Sequence, residues 1–315
     1  MNPAPSIVLF TSSAGTGYGL LFLLGLLGPL GLLPADRWLG LAALGLSLGL
    51  VSCGLLASTF HLGHPERAWR ALSQWRSSWL SREAVAALAT YLPAVVFALG
   101  WIVWRRLDGG WAVAGLLAAA GAAVTVYCTG MIYACLKPVR QWHHPLVTPL
   151  YLAFALAGGA LWLSALVPLF GAGRPPLTGA TLVLVLLAWG AKALFWRRTD
   201  GAAPARGTAD AIGLKPLGPA RLLDPPHTEE NYLLHEMGFQ VARRHAGRLR
   251  RLALLFGGAL PAGLLLLSLL TQGVSASAAG LLAAVSGSLG IVIERWLFFA
   301  EARHSVTLYY GAAPI

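Results

Sequence analysis

Two blocks of ionisable residues stand at the ends of long apolar runs. The first is His61-Leu62-Gly63-His64-Pro65-Glu66-Arg67-Ala68-Trp69-Arg70, followed by Trp75-Arg76-Ser77-Ser78-Trp79-Leu80-Ser81-Arg82-Glu83. His61 ends one apolar run and Glu83 opens the next, so a short re-entering connection can bring an imidazole and a carboxylate to one membrane-edge pocket. An imidazole titrates close to neutrality. Such a pair suits a quinone, whose reduction moves two electrons and two protons and whose ring oxygens need groups that exchange protons with water. The same residues also admit a structural role, with Glu83 at a helix N-terminus or paired with Arg67 or Arg82, and His61 as a cap. The second block is Glu294-Arg295, inside an apolar run near the end of the chain. Charges in lipid must be compensated by the bundle interior or the aqueous surface, which makes these two further candidates for the pocket. Tyr127 and Tyr133 read as interior packing residues.

The remaining ligand-type residues argue against a metal in this chain. His61, His64, His143, His144 and His304 lie at the ends of apolar runs, and His227, His235 and His245 lie in a long polar stretch. A bis-histidine haem needs two ligands at matched depth within the membrane, and no such pair is present. Cys53, Cys128 and Cys135 form no CxxC pair, so neither zinc nor an iron–sulfur cluster is expected. Electrons must then arrive from a cofactor in another subunit.

These side chains have to be positioned by helices in lipid. Of the 315 residues 57% are hydrophobic and 11% charged, against about 25% charged in an ordinary soluble domain. Runs long enough to cross a hydrocarbon layer of roughly 30 Å fall near Ile7–Leu33, Trp38–Phe60, Glu83–Trp104, Trp111–Leu136, Pro149–Phe170, Thr178–Trp196, Leu252–Thr271 and Ala278–Ala300. The expected fold is an all-α membrane bundle of eight transmembrane helices in a single domain, residues 1–315. Trp38, Trp101, Trp104, Trp111, Trp142 and Trp196 sit at or near span ends, where amphipathic rings favour the headgroup level. Small residues from Ala114 to Ala123 point to an interior fourth helix. The N-terminus lacks a basic n-region and a cleavage site, so the first run is expected to stay as a span. A transporter would need interrupted spans or polar residues near the midplane, which the runs scarcely offer outside the Gly-rich first one.

Eight spans put both termini on one side, here side A, with the loops after spans two, four and six. Side A carries seventeen basic residues outside the spans and the opposite side B only Arg37, Arg105, Arg106 and Arg174. Positive residues near span ends are retained in the cytoplasm, so both termini are expected there. This asymmetry accounts for the net charge of +11 without nucleic acid. Residues 197–251 form a long cytoplasmic loop, expected to be extended over Gly201–Pro226 and helical from a cap at Thr228. Together with His61–Arg82 it has the irregular, basic, tryptophan-bearing character of a partner-docking surface.

The stretch Thr59–Ala68, with Leu80-Ser81-Arg82-Glu83 behind it, resembles the DmsC-like anchor subunits of the dimethyl sulfoxide reductase (molybdopterin oxidoreductase) family. The eight-span layout and the Glu294-Arg295 region fit as well. The resemblance implies a haem-free subunit of the bacterial inner membrane that binds ubiquinone or menaquinone. It further implies a four-cluster iron–sulfur partner subunit and a catalytic subunit with a molybdenum bis-guanine-dinucleotide cofactor. Carried over by position, it places His61 and Glu83 at the quinone, with Gly63, Arg67, Ser81 and Arg295 around it. Trp75, Arg76, Trp79, Arg82, Arg140, Arg243 and Arg244 are then expected at the docking face. More narrowly, Trp75–Glu83 and Asn231–Arg243 are similar to the SoeC-like membrane subunits of cytoplasmic sulfite dehydrogenases. The basic side A and the long sixth loop depart from the dimethyl sulfoxide reductase anchors, whose docking face is periplasmic, and agree with the sulfite type. Anchors for dimethyl sulfoxide, polysulfide, thiosulfate or tetrathionate enzymes are the alternatives within the class.

Overall fold

A computed structural model describes residues 2–60, 62–173, 175–201, 207–220, 223–224 and 241–310. The helices are α1 (Pro5–Leu27), α2 (Arg37–Thr59), α3 (Trp79–Ile102), α4 (Gly109–Ala134), α5 (Val147–Leu166) and α6 (Pro175–Asp200). They are followed by α7 (Val241–Leu254), a π-helical turn over Leu255–Ala259, α8 (Leu260–Leu270) and α9 (Gly273–Ala300). Helices α7 and α8 together make one span, His245–Leu270, so among the described residues eight spans are long and apolar enough to cross a membrane. The chain is a multi-pass membrane protein.

Local chemistry sets several boundaries. The Asp36 carboxylate accepts from Leu39 N at 2.8 Å and starts α2, and Ser78 accepts from Ser81 N at 3.5 Å at the start of α3. Helix α3 therefore begins at Trp79, a turn before the sequence boundary, and Glu83 lies inside it. The first span ends earlier than expected, at Leu27, where Gly28-Pro29 stops it. In the long loop, Thr208–Ala211 makes one helical turn and Lys215–Leu217 another short one, instead of a purely extended run. The expected cap at Thr228 lies outside the described residues.

Helix α1 touches α2, α4, α5 and α9, and α5 touches α4, α6 and α9 as well. These two are the centre of the bundle: 72% of each span core is buried, against 50% for the Ala-rich α4 that composition had placed inside. The α1–α5 crossing depends on glycine. A Cβ on Gly19 would lie 1.7 Å from Ala155 O, and one on Gly159 would lie 2.2 Å from Leu20 N. Helices in lipid gain their association from such close backbone packing.

The tryptophans divide. Trp38 and Trp104 are exposed, as interfacial rings should be, but Trp101, Trp142 and Trp196 are buried. Trp101 Nε1 donates to Asp36 O at 2.9 Å and ties α3 to the start of α2; Trp142 Nε1 donates to Phe298 O at 3.0 Å. Tyr133 packs among Trp142, Tyr151, Phe298 and Phe299 as expected for an interior residue. Tyr127 instead is 43% exposed and meets the edge of Trp79.

Candidate functional site

The polar side chains of the bundle converge just below its side A ends. Glu83 lies four residues into α3 and Tyr151 four into α5, while Thr129 and Arg295 lie five residues before the ends of α4 and α9. At about 1.5 Å per residue all four sit roughly 6–8 Å deep. Glu83 is buried, and its Oε1 accepts the Thr129 hydroxyl across the α3–α4 contact. Thr129 in turn lines a cavity of about 20 Å³ together with Thr11, Tyr18, Tyr151 and Arg295. That is room for one water. The Tyr18 and Tyr151 hydroxyls have no hydrogen-bond partner at close geometry among the described residues. The arrangement is a small polar chamber in an apolar bundle, with the Arg295 guanidinium in its lining and the Glu83 carboxyl one hydrogen bond behind Thr129.

Behind Arg295 is a second cluster that sequence reading missed in part. Lys192 of α6 reaches Glu294 Oε1 at 2.5 Å, and Arg295 Nε lies 2.8 Å from Glu294 Oε2. All three side chains are buried. One carboxylate serves two basic side chains. Aromatic faces supply the rest: Arg295 stacks over Tyr151 at 3.9 Å and Lys192 lies 4.5 Å from the Phe195 ring centroid. The compensation expected for Glu294-Arg295 from the bundle interior is thus Lys192. The signal was present, because a lone lysine in an apolar run requires an anion.

The outer connection behaves differently. Pro65–Gln74 forms a short helical stretch, and Gly63, Arg67, Trp69, Trp75 and Arg76 along the connection are exposed. Ser81 turns its hydroxyl to Ala71 O, and Arg82 donates to Trp75 O at 3.0 Å and Arg76 O at 2.6 Å while stacking on Trp79 at 4.2 Å. Ser81 and Arg82 therefore fasten this connection to α3. Arg67 lies 3.7 Å from Glu66. Of the quinone-site candidates the structure links Glu83 to Arg295 through Thr129 and the chamber, leaves Gly63 and Arg67 on the outer connection, and buries Ser81 in the first turn of α3 against that connection. His61 lies outside the described residues.

Among the other candidates, Arg140 is exposed on the α4–α5 connection, and Arg243 and Arg244 fall in the first turn of α7. Arg250, further along α7, pairs with Asp200 at 2.5 Å and Glu301 at 2.7 Å, joining the side A ends of α6, α7 and α9. His144 Nδ1 accepts from Leu146 N at 3.1 Å and His304 Nδ1 from Val306 N at 3.0 Å. Burial holds both imidazoles below their ordinary range, helped at His144 by Arg198. Among the described residues no group of three His, Cys, Asp or Glu is placed to hold a metal ion.

Comparison with known proteins agrees with this layout. The family model for the DMSO reductase anchor subunit (DmsC) matches residues 1–194. A sulfite dehydrogenase subunit of Allochromatium vinosum is 32% identical over 329 aligned positions, covering 98% of this chain and 99% of that protein.

Proposed function

We propose, from the premise that this chain belongs to the DMSO reductase anchor subunit (DmsC) family, that it is the quinone-reducing membrane subunit of a sulfite-oxidising complex. Membership makes it a membrane anchor subunit of a molybdenum oxidoreductase. The sulfite assignment is supported by a relative whose similarity continues through the long loop and the last two spans, beyond the residues the family model matches. In this reading sulfite is oxidised on a molybdopterin subunit, and electrons pass through a four-cluster iron–sulfur subunit docked on side A. Residues 1–315 act as one membrane domain of a bacterial inner membrane, with side A and the 197–251 loop cytoplasmic.

The observation that carries the quinone role is the buried Glu83–Thr129 pair bordering a chamber that also holds Tyr18, Tyr151 and Arg295. A quinone supplies a two-electron, two-proton acceptor. Glu83 holds a proton at its carboxyl, and Thr129 keeps that carboxyl turned into the bundle. Arg295 sets positive charge in the chamber wall, where it favours the electron-rich form of a quinone bound beside the chamber. The chamber in its present form admits a water and not a ring, so the water is the proton carrier between Glu83 and the Arg295 wall. His61, which follows the second span in the sequence, is the proton exchanger with the cytoplasm. Exposed Trp69 and Trp75, with Arg76, face the iron–sulfur subunit.

Affinity purification of the chain from its native membrane tests the assignment. The expected result is copurification of a molybdopterin protein and an iron–sulfur protein, with sulfite-dependent reduction of a quinone. A preparation with those partners that reduces only water-soluble acceptors would overturn the quinone role.

A further inference from the structure

We infer that the quinone ring leaves the lipid between α4 and α5, through a crevice beside Tyr18, and not at the His61–Glu83 membrane edge. The inference rests on the quinone reading above. A crevice of about 150 Å³ lies between α1, α4 and α5, with Tyr18, Gly19 and Ala155 on its inner side. Its outer side, Phe22, Ala123, Leu152 and Leu156, is half-buried, so it opens on the lipid face of the bundle. A cavity of roughly this volume accommodates a six-membered ring. Tyr18, Val126 and Ala155 line both this crevice and the polar chamber, so the two are neighbours across these side chains.

Tyr18 supplies the polar recognition. Its ring is 3% exposed, and its hydroxyl makes no close hydrogen bond among the described residues, with the Thr125 hydroxyl as a polar neighbour. The neighbouring Thr125 gives its own proton to Gly121 O, and the Tyr91 hydroxyl is paired with Ser52 at 2.7 Å. A buried hydroxyl left without a partner is costly. A quinone carbonyl is an acceptor that satisfies it without adding charge, and the otherwise apolar lining suits the ring. A larger groove of about 590 Å³ runs between α3 and α4, but its one hydroxyl, Thr90, donates to Ala86 O at 2.7 Å. That groove offers a ring no free donor.

The test is photolabelling of the assembled complex in native membranes with a short-tailed benzoquinone bearing an azide on the ring, followed by peptide mapping. Label within 122–126 or 152–156, displaced by excess unlabelled quinone, is the expected result. Leu152→Trp and, separately, Ala123→Trp should abolish that label; two plugs on different helices guard against one misfolding, and sulfite oxidation with an artificial acceptor reports assembly. Tyr18→Phe should keep the label in place and raise the quinone concentration for half-displacement roughly 5- to 10-fold, the loss of one neutral hydrogen bond. Displaceable label confined to 62–83, or to the α3–α4 groove, overturns the route while leaving quinone binding intact. No displaceable label anywhere overturns the quinone reading itself and the route with it.

Discussion

Thr129 on α4 donates its hydroxyl to the Glu83 carboxyl on α3, and the same threonine forms part of the wall that Arg295 closes from the other side. This contact turns Glu83 away from Arg67 and Arg82, the two cations near it in sequence. Arg82 is engaged with Trp75 O and Arg76 O, and Arg67 with Glu66. An inward-facing carboxyl beside a water-sized chamber is arranged for proton exchange more than for a surface ion pair.

Replacing Glu83 separates the two roles. Glu83→Gln keeps the shape and the hydrogen bond but cannot ionise. Sulfite-dependent quinone reduction should fall by roughly 10²- to 10⁴-fold, the usual range for lost acid–base catalysis. Sulfite oxidation with an artificial acceptor, which draws electrons upstream of the membrane, should stay near wild type. Equal retention of both activities would remove Glu83 from the mechanism; equal loss would point to failed docking.

The buried cluster predicts an order of stabilities. Glu294→Gln leaves Lys192 and Arg295 without an anion and should destabilise by about 3–5 kcal/mol, the range for breaking a buried pair from one side. Lys192→Met leaves a neutral Glu294–Arg295 pair and should cost clearly less. Thermal unfolding in one detergent compares them, and a Lys192 variant as damaging as the Glu294 one would contradict the charge count.

Stability should also depend on pH at side A. His144 and His304 accept backbone hydrogens at Nδ1 only when that nitrogen is unprotonated, and burial lowers the folded pKa of each. A depressed folded value means the neutral form is favoured in the native state. The stabilisation is then complete above the unfolded imidazole value of about 6.5 and is lost as pH falls through the folded one. Hydrogen-exchange protection factors around Leu146 and Val306, which correct for the slower intrinsic exchange in acid, should therefore fall on going from neutral to mildly acidic pH. His144→Gln and His304→Gln together should flatten that response.

Topology gives a further check. Placing side A outside would require seventeen basic residues to be translocated against four retained. A reporter fused after Ile315 should be active in its cytoplasmic form, as should one inserted after Gly213. Activity of either only in the periplasm would reverse the orientation and undo the part of the sulfite assignment that depends on it.

By itself the sequence determined the number of spans, their approximate ends and the direction of the charge asymmetry. Each of these follows from local quantities: the length of an apolar run against the thickness of the bilayer, and the charge at its two ends. It also singled out Glu83 and Glu294-Arg295, because an ionisable group beside lipid is conspicuous wherever the helix turns. What only the tertiary structure decided was which way those groups face and what they meet. Whether Glu83 pairs with Arg82, one residue away, or with Thr129, on the next helix, depends on how α3 is rotated against α4. The α1–α5 crossing at Gly19 and Gly159 decides that α1 and α5, and not the alanine-rich α4, form the centre. Lys192 joins Glu294 only because α6 and α9 both pack against α5 and α8 in the folded bundle. Trp101, Trp142 and Trp196 left the interface for the interior for the same reason. Rotation and pairing of helices are set by packing between residues far apart in the chain, and no run of neighbouring residues carries that information.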